Sequence, residues 1–327
     1  MSRTIHWGII GIGKIAEKFA SDLATVENTN LAAVASRSLE RAQAFGTKHQ
    51  ADNAFGTYEE IFNTPKLDAI YIATPHTTHA ACTQLCLEKG IAVLCEKPFA
   101  MNEGEVKEMI DLAKAKNTFL MEAMWTRFLP TTKKVLELVE NGGIGKVKTI
   151  QADFGFIPPF HPERRVLNPE FGGGAFLDIG IYPAFITLLL LGYPSNILAT
   201  STKGPTGVDE STAFIYEYDN DALANLSCTF GANTNIEAII YGDKGKIHMK
   251  RKFHEATEIV WYPEEAEAET FHFPRETFGY DYEIVEVNEC LRADKKESDL
   301  WSLAESLKLI RLLDKTRDEA GIVYHTD

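Results

Sequence analysis

Short apolar runs alternate with amphipathic segments over the first part of the chain. Five runs have the length and composition of buried strands, at residues 5–10, 31–35, 69–73, 92–95 and 119–121. The segments between them carry apolar side chains at helical spacing, at residues 15–24, 39–49, 78–89 and 102–116. Strands and helices that alternate in this way predict a parallel sheet of the doubly wound α/β class.

The pattern changes after a further helix at residues 131–140. Longer β-rich runs separated by Gly, Asn and Asp follow, at residues 146–156, 196–202, 211–218, 222–230, 235–241 and 246–249. Polar connections such as residues 219–221 are typical of hairpins, so this second sheet is expected to be mainly antiparallel. A Gly-Gly-Gly turn at 172–174 introduces a long buried helix, and helices at 280–292 and 299–316 close the chain.

Two domains are therefore predicted in this chain of 327 residues, which is roughly twice the usual ~150-residue domain. Residues 1–123 form the doubly wound domain. Residues 124–327 form an α+β domain with a large, mostly antiparallel sheet, and its last helix is expected to pack back on the first domain. The second domain is expected to bind the substrate.

Composition narrows the classes of function and the compartment. Lys and Arg number 33 against 47 Asp and Glu, and the net charge of -14 opposes binding to nucleic acid or an anionic membrane. No secretion signal is visible at the N-terminus, and the uncharged run at 181–191 is shorter than the ~18 residues of a membrane span. The odd number of cysteines predicts buried thiols in a reduced cytoplasmic compartment, at Cys82, Cys86, Cys95, Cys228 and Cys290.

The first strand is followed by a glycine motif that opens the first helix. The motif consists of Gly11, Ile12, Gly13, Lys14, Ile15 and Ala16, and it matches the dinucleotide fingerprint with Ala in the third place. Gly11 permits the tight turn, and Gly13 lets the backbone approach a pyrophosphate at the helix N-terminus. Because the motif begins a series of βα units, it predicts a nucleotide-binding Rossmann domain.

The end of the second strand predicts which dinucleotide binds. An acidic residue usually stands there and binds the ribose of NAD, but this chain has Ser36, Arg37 and Ser38. A guanidinium between two hydroxyls suits a 2′-phosphate, so NADP is the expected cofactor and NAD the alternative. The competing interpretation is a solvated Arg37 beside a helix cap formed by Ser38.

The loop after the third main strand is expected to line the cofactor, because ligands of open α/β sheets lie at the carboxyl ends of the strands. Its candidate residues are Thr74, Pro75, His76 and His79. Two histidines three positions apart, without a nearby Cys or carboxylate at ligand spacing, do not indicate a metal site, and no metal is expected.

Two further motifs carry the candidate chemistry. Glu96, Lys97 and Pro98 close the next strand, and Asp178-Ile-Gly-Ile-Tyr182 lies on or beside the long helix of the second domain. With the glycine motif, these sequences resemble the Gfo/Idh/MocA oxidoreductase family over essentially the whole chain. The segments 121–128 and 172–182 are most similar to its branch of dimeric dihydrodiol dehydrogenases and NADP-dependent D-xylose dehydrogenases.

The resemblance assigns roles to the motifs. It implies that Glu96, Lys97 and Pro98 contact the cofactor, that the Lys97–Pro98 bond is cis, and that Lys97 faces both the nicotinamide ribose and the substrate. It also implies that Tyr182 is the acid/base residue, which fits the chemistry, because a phenol of pKa ~10 needs a cation nearby to act as a base. Asp178 is then expected to orient the substrate or Lys97. Tyr182 as a packing residue and Asp178 as a helix cap are the alternatives.

The resemblance also implies a substrate pocket and a dimer. Its candidate substrate residues are Trp125 and Arg127, with Phe154 and Tyr280 as weaker candidates for the same pocket, and a place in the core is the alternative for each aromatic side chain. An aromatic pocket with few charges suits a neutral polyol or arene diol. The branch forms dimers that pack sheet to sheet, so a homodimer through the C-terminal sheet is expected.

The predicted function is hydride transfer between NADP(H) and a hydroxyl or carbonyl of a sugar, polyol or vicinal diol. The main alternative is a non-catalytic NADP(H)-binding sensor, against which the presence of both Lys97 and Tyr182 argues. A methyltransferase would not account for the Glu-Lys-Pro motif. A glycosidase or dehydratase that uses the nicotinamide transiently would show no net change of cofactor.

Overall fold

Residues 3–324 are described by a computed structural model of the protein. Their contacts divide them into two compact units, each built from two stretches of chain. The first unit contains the residues up to Phe128 together with Arg275–Leu307. The second contains Leu129–Pro274 together with the residues from Lys308 onwards. Each unit thus combines a long stretch of chain with a helical stretch from near the C-terminal end.

The first unit is built on a six-stranded sheet in which each pair of neighbouring strands is parallel. Its strands are β1 (Ile5–Ile10), β2 (Thr29–Ala35), β3 (Asn53–Phe55), β4 (Ala69–Ile72), β5 (Ala92–Glu96) and β6 (Leu120–Ala123). Their order across the sheet is β3-β2-β1-β4-β5-β6, so the winding reverses between β1 and β4. This order is that of the Rossmann fold, in which the ligand binds at the carboxyl ends of the strands beside the reversal.

The helices of the described residues alternate with these strands and continue into the second unit. They are α1 (Lys14–Leu23), α2 (Leu39–His49), α3 (His79–Glu88), α4 (Glu103–Ala115), α5 (Pro130–Glu140), α6 (Ile181–Leu191), α7 (Asp281–Arg292) and α8 (Leu303–Ala320). Helices α1 to α4 form crossovers of the parallel sheet, as parallel pairing requires. The predicted doubly wound architecture is confirmed.

The central strands are apolar along their length because both faces of a parallel sheet are covered. All residues of β4 and β5 are buried, including the carboxyl-bearing Glu96. Trp7 in β1 is fully buried, and its indole N–H donates a hydrogen bond to Oδ1 of Asn288 at 3.0 Å. This bond ties α7 to the central strand of the first unit.

All five cysteines are free and buried. Burial raises the pKa of each thiol, to about 11 at Cys82 and to about 12 at Cys290. Thiols with such pKa values stay protonated at neutral pH and pack as small apolar groups. The predicted structural role of the cysteines is therefore confirmed.

The second unit contains an eight-stranded sheet of the order β14-β13-β12-β11-β7-β10-β9-β8. Its strands are β7 (Val147–Gly155), β8 (Asn196–Lys203), β9 (Asp209–Glu217), β10 (Leu223–Thr229), β11 (Ala238–Gly242), β12 (Gly245–Met249), β13 (Glu258–Pro263) and β14 (Glu269–His272). Only β7 and β10 pair in parallel among these described strands. The prediction of a large, mostly antiparallel sheet is confirmed.

Helix α6 packs against β7 and β10 and is buried from Ile181 to Leu188. With the turns before it, it forms the stretch Pro169–Leu191, which is long and apolar enough to cross a membrane. That stretch is 83% buried inside the protein, which is typical of a core helix that is apolar on all sides. The prediction of a buried helix here is confirmed.

Some elements differ from the sequence pattern. Strands β3, β13 and β14 are not among the predicted runs. β3 has only three residues and β14 is largely exposed and polar, so neither gives a strong strand pattern. Helix α8 begins at Leu303 instead of residue 299. The hydroxyl of Ser298 accepts hydrogen bonds from the backbone N–H groups of residues 300 and 301, which hold this segment in a turn before the helix.

Candidate active site

The turn between β1 and α1 brings the backbone against the end of β4. Gly11 has a φ of +89°, and a Cβ at this position would lie 2.7 Å from the carbonyl oxygen of Ala73. Only glycine adopts this turn without strain. Gly13 differs, because its φ is −85° and no described atom lies within 4 Å of a Cβ built there. The described residues themselves therefore do not require glycine at position 13, and the space in front of it is open to a ligand.

Helix α1 begins at this open space. Gly13 is its N-cap, and no side chain of the described residues caps the helix. The first N–H groups of a helix lack intrahelical partners and carry a partial positive charge, so they suit a phosphate group. The residues predicted to contact the pyrophosphate lie around this helix N-terminus, namely Gly11, Ile12, Gly13, Lys14 and Ile15. A dinucleotide thus fits the chain at this turn.

The residues after β2 have different surroundings. Ser36 is buried, whereas Arg37 is exposed. Ser38 is the N-cap of α2, and its hydroxyl accepts a hydrogen bond from the N–H of Arg41 at 3.3 Å. Burial raises the pKa of Tyr58, and the positive charges of Arg37 and Arg41 oppose that rise. Two guanidinium groups thus stand near the end of β2, of which the sequence pattern singled out only Arg37.

The loops after β4 and β5 are joined by a buried histidine. His79 begins α3, with its Nδ1 2.8 Å from the carbonyl oxygen of Pro98 and its Nε2 3.0 Å from that of Thr74. Pro75 and the short 3₁₀ turn that begins at His76 complete the loop after β4. Both ring nitrogens of His79 face carbonyl oxygens, and residues 3–324 contain no group of three or more His, Cys, Asp or Glu arranged to hold a metal ion.

The Glu-Lys-Pro motif follows β5. The Lys97–Pro98 bond is cis, as the family resemblance implied. Glu96 is turned inwards, where the Tyr71 hydroxyl donates a hydrogen bond to Oε1 and the backbone N–H of Lys97 donates to Oε2 at 3.2 Å. Lys97 itself is half-buried. The Glu96 carboxylate therefore holds the backbone from which the Lys97 side chain projects.

Two of the predicted substrate residues stack within the first unit. The rings of Trp125 and Tyr280 lie 4.8 Å apart between centroids, at an angle of 17°. The backbone N–H of Tyr280 donates to the buried carboxyl group of Asp22 at 2.8 Å, which fixes the start of α7. Arg127 is half-buried on the same 3₁₀ turn as Trp125, which directly follows β6.

Asp178 lies inside a single π-helical turn, Phe176–Gly180, that runs into α6. Such turns are rare and are frequent at functional sites. Asp178 is 7% exposed, and its Oδ1 is 2.9 Å from a guanidinium nitrogen of Arg165. It is not a helix cap, because the turn continues on both sides of it. No motif in the sequence indicated Arg165 as the partner of Asp178.

The second unit also contains an aromatic cluster around Tyr182. The Phe154 ring lies 5.5 Å from that of Tyr182 and 4.4 Å from that of His254, and Tyr182 and His254 are 4.8 Å apart, all between centroids. All three side chains are at least nine-tenths buried. His254 was missed by the sequence pattern, because a lone histidine in a polar turn carries no periodic or motif signal.

The predicted site residues therefore form two groups, one in each unit. The first group lies on segments that follow the carboxyl ends of β1, β2, β4, β5 and β6, joined by Tyr280 from the start of α7. The second group is Asp178, Tyr182 and Phe154, to which the structure adds Arg165 and His254. The first group can hold a dinucleotide, and the second presents a phenol beside a carboxylate on one continuous helical segment.

Two family models match the chain. The model described as an oxidoreductase family with an NAD-binding Rossmann fold matches residues 5–124, and the Gfo/Idh/MocA C-terminal domain model matches residues 132–248. Trans-1,2-dihydrobenzene-1,2-diol dehydrogenase from Xenopus laevis is 36% identical over 97% of this chain and 98% of its own. The chain belongs to the Gfo/Idh/MocA oxidoreductase family. The protein of the same name from Homo sapiens is 34% identical over 99% of both chains.

Solved structures share the fold of this Gfo/Idh/MocA protein. An aldose-aldose oxidoreductase from Caulobacter crescentus superposes with a TM-score of 0.89 at 23% identity, over 98% of both chains. A 3-ketoreductase from Actinomadura kijaniata gives a TM-score of 0.87 at 24% identity, over 97% of this chain and 98% of its own. A levoglucosan dehydrogenase gives 0.88 at 19% identity, over 98% of both chains.

Membership of the Gfo/Idh/MocA family confirms several predictions at once. The family resemblance and the combination of a Rossmann domain with a second α+β domain are confirmed. The protein is an oxidoreductase with an NAD(P)-binding fold, so the predicted enzyme class is confirmed as well.

The open space at Gly13 leads to a testable prediction. We expect Gly13→Ala to leave the melting temperature of the ligand-free protein unchanged, since its φ suits alanine and its Cβ meets no described atom. The same methyl group occupies the space before α1, so NADPH should bind at least about tenfold more weakly, a cost of about 1.4 kcal/mol. Fluorescence titration and thermal unfolding of the same samples measure both effects.

Gly11→Ala is the matched control for this prediction. Its Cβ would meet the Ala73 carbonyl in a strained backbone conformation, so it should lower the melting temperature as well as cofactor affinity. If Gly13→Ala bound NADPH as the wild type does, the open space would not be where the dinucleotide binds.

Proposed function

We propose that the protein is an NADP-dependent dehydrogenase that moves a hydride between nicotinamide and a hydroxyl-bearing carbon of a vicinal diol, polyol or sugar. The observation that carries this proposal is the open, uncapped N-terminus of α1 behind Gly13, at the reversal of the strand order. The choice of substrate class is supported by the relatives named above, which include a dihydrobenzene-diol dehydrogenase, an aldose-aldose oxidoreductase and a levoglucosan dehydrogenase.

The preference for NADP rests on charge at the end of β2. NAD-specific sites usually place a carboxylate there to bind the ribose hydroxyls. Here the exposed Arg37 and the nearby Arg41 supply positive charge instead, close enough to act on Tyr58. A 2′-phosphate carries close to two negative charges and pairs well with guanidinium groups. Ser38 contributes mainly as the cap that fixes the start of α2.

The proposed acid/base residue is Tyr182. A bound nicotinamide would supply the hydride acceptor, and the hydroxyl proton of the substrate would have to leave in the same event so that the carbonyl can form. The Tyr182 phenolate takes this proton, and in the reverse direction the neutral phenol returns it. A cation near the phenol favours the phenolate, and the family resemblance implies that Lys97 has this role. Asp178, which is held by Arg165, is proposed to orient the substrate.

The aromatic residues shape the proposed substrate pocket. Trp125 and Tyr280 form a stacked pair, and Phe154 and His254 enclose the Tyr182 ring. Aromatic faces suit the C–H surface of a sugar ring or an arene diol, and the few polar groups select its orientation. Arg127 adds a guanidinium at the end of β6 that is suited to bind a hydroxyl or carbonyl oxygen.

The alternative function is a non-catalytic NADP(H) sensor. Such a protein has no need of a phenol and a carboxylate on one buried segment. The ion pair of Asp178 and the aromatic enclosure of Tyr182 organise both groups in an otherwise apolar interior, which favours the enzyme.

We further propose a cytoplasmic homodimer that associates through the C-terminal sheet. The outer face of β8, β9 and β10 has a depression of about 560 Å³, lined mainly by apolar and neutral side chains. Leu198 in β8 is 50% exposed there. Ile215 in β9 is its partner in the strand register, and Asn225 in β10 is the next partner across, so the three residues lie side by side on this face. A sheet face with exposed leucines is typical of a self-associating surface. Free, buried thiols suit a reducing compartment.

The acid/base assignment predicts the effect of Tyr182→Phe. This variant should lower kcat at least about a hundredfold, in the range that general acid/base groups contribute, and leave NADPH affinity unchanged. Steady-state kinetics at the nicotinamide absorbance and fluorescence titration measure the two quantities. Tyr218→Phe is the control, since its buried hydroxyl has no hydrogen-bond partner among the described residues and its loss should change neither. Normal turnover by Tyr182→Phe would refute the assigned role.

The cofactor assignment predicts a change of preference in Arg37→Asp. The carboxylate should weaken NADPH binding at least about tenfold and affect NADH much less, because only NADPH carries the 2′-phosphate. Arg251→Asp makes the same change of charge at an exposed position of the second unit and should leave both affinities unaltered. Equal losses for the two cofactors in Arg37→Asp would contradict the phosphate contact.

The dimer proposal predicts that Leu198→Glu yields monomers, because it buries a charge at the centre of the proposed interface. Sedimentation velocity measures the oligomeric state. Ile157→Glu, at a residue that is 56% exposed outside this face, is the control and should stay dimeric. A wild-type protein that sediments as a monomer, or a dimeric Leu198→Glu variant, would rule out association through this face.

A further inference from the structure

The π-helical turn that carries Asp178 is held from a distant part of the chain. Asp209, the first residue of β9, is 3% exposed, and its Oδ2 accepts a hydrogen bond from the backbone N–H of Phe176 at 2.6 Å. The N–H of Ala175 also donates to this carboxyl group. Asp209 thus satisfies the N–H groups at the start of the turn, as an N-cap side chain does in an ordinary helix.

Two other residues fix the Asp209 carboxyl group in place. The Tyr324 hydroxyl donates a hydrogen bond to its Oδ1 at 3.3 Å. Gly174, with a φ of +137°, lies so close that a Cβ there would meet the same oxygen at 2.0 Å. Tyr324 is 6% exposed, and the guanidinium of Arg317 in α8 lies over its ring at 5.4 Å from the centroid. The carboxyl group is therefore enclosed between the turn and the segment that follows α8.

The surroundings allow the charge of Asp209 to change near neutral pH. Burial raises its pKa to about 6, against the hydrogen bonds from Phe176 and Tyr324 that lower it. The titratable groups that face it from neighbouring elements are Tyr324 and Cys228 on β10. Of the basic groups, Arg317 lies over the ring of Tyr324, and Lys203 lines a cavity of about 310 Å³ together with Asp209. No ion pair to Asp209 occurs among the described residues. The carboxylate is thus balanced mainly by hydrogen bonds to neutral donors.

We propose that Asp209 is a positioning residue for the reaction, whose carboxylate holds the π-helical turn so that Asp178 and Tyr182 keep their active arrangement. This inference rests on the proposed function of Asp178 and Tyr182. A wider π turn changes the angle between these two side chains from that in a regular α-helix, and the turn persists only if its N–H groups are satisfied. Ionised Asp209 satisfies them, whereas the protonated acid is a weaker acceptor.

The pH profile of kcat should therefore have an acid limb, that is, a fall in kcat at low pH. As the pH falls through about 6, Asp209 takes up a proton, the bonds to Phe176 and Ala175 weaken, and kcat falls while NADPH affinity stays the same. Tyr324 sets the pH at which this fall occurs, because its hydrogen bond stabilises the carboxylate and lowers the pKa of Asp209.

The test compares three variants by their pH profiles of kcat between pH 5 and 9. Asp209→Asn keeps the shape but cannot ionise, so kcat at pH 8 should fall at least about tenfold and lose the limb near pH 6. Tyr324→Phe should move the limb to higher pH and keep the plateau. Tyr216→Phe removes a buried hydroxyl of the same sheet that bonds Thr316 instead, and it should leave the profile unchanged.

A second measurement does not depend on turnover. Hydrogen exchange of the segment 174–182, corrected for the intrinsic effect of pH, should be faster in Asp209→Asn than in the wild type at pH 8. In the wild type it should accelerate as the pH falls below about 6. If the wild type turned over no diol or sugar, the proposed function would fail, whereas the exchange result would still show that Asp209 holds the π-helical turn.

Two results would overturn the positioning role. One is an Asp209→Asn variant whose pH profile and exchange match those of the wild type. The other is an equal shift of the acid limb in Tyr324→Phe and Tyr216→Phe, which would point to general loosening of the unit. Because Tyr324→Phe retains the carboxylate, it keeps the test open even if Asp209→Asn fails to fold.

Discussion

The contact between Gly11 and the carbonyl group of Ala73 is the constraint on which the cofactor half of the molecule depends. The backbone can lie this close to β4 only because Gly11 has no Cβ and adopts a positive φ. The turn therefore ends with the N-terminus of α1 open above the strand reversal, with no side-chain cap among the described residues. The loops after β2, β4 and β5 add arginine, buried histidine and a cis Lys97–Pro98 bond at the same edge.

The second unit keeps polar candidate site residues ordered in an apolar interior. Asp178 is buried against helix α6 and the sheet, so its charge needs a partner, and Arg165 provides one. The turn that carries Asp178 needs acceptors for its first N–H groups, and Asp209 provides these. Phe154 and His254 then restrict the Tyr182 ring. Each interaction fixes the geometry of a group whose chemistry depends on position.

The sequence predicted the fold well because periodicity reports directly on burial. The continuous apolar runs of β1, β4 and β5 and the amphipathic helices between them left little ambiguity. Motifs pointed to Gly13, Lys97 and Tyr182 as candidates because their proposed chemistry is tied to local spacing. Arg165, Asp209 and His254 could not be found in this way, because each acts on a residue that is distant in sequence or stands in an irregular turn. The π turn itself has no periodic signature of its own.

Isotope transfer tests most directly whether a hydride passes between the nicotinamide and a carbinol carbon. The protein is incubated with NADP and with either trans-1,2-dihydrobenzene-1,2-diol or an aldose, each deuterated at its carbinol carbons, and the recovered cofactor is analysed by mass spectrometry. Deuterium is expected at the nicotinamide C4 with at least one of these substrates, and its transfer is expected to be at least about a hundredfold slower in Tyr182→Phe. An unlabelled nicotinamide with both substrates, in a protein that still binds NADP tightly, would contradict the account and favour the sensor.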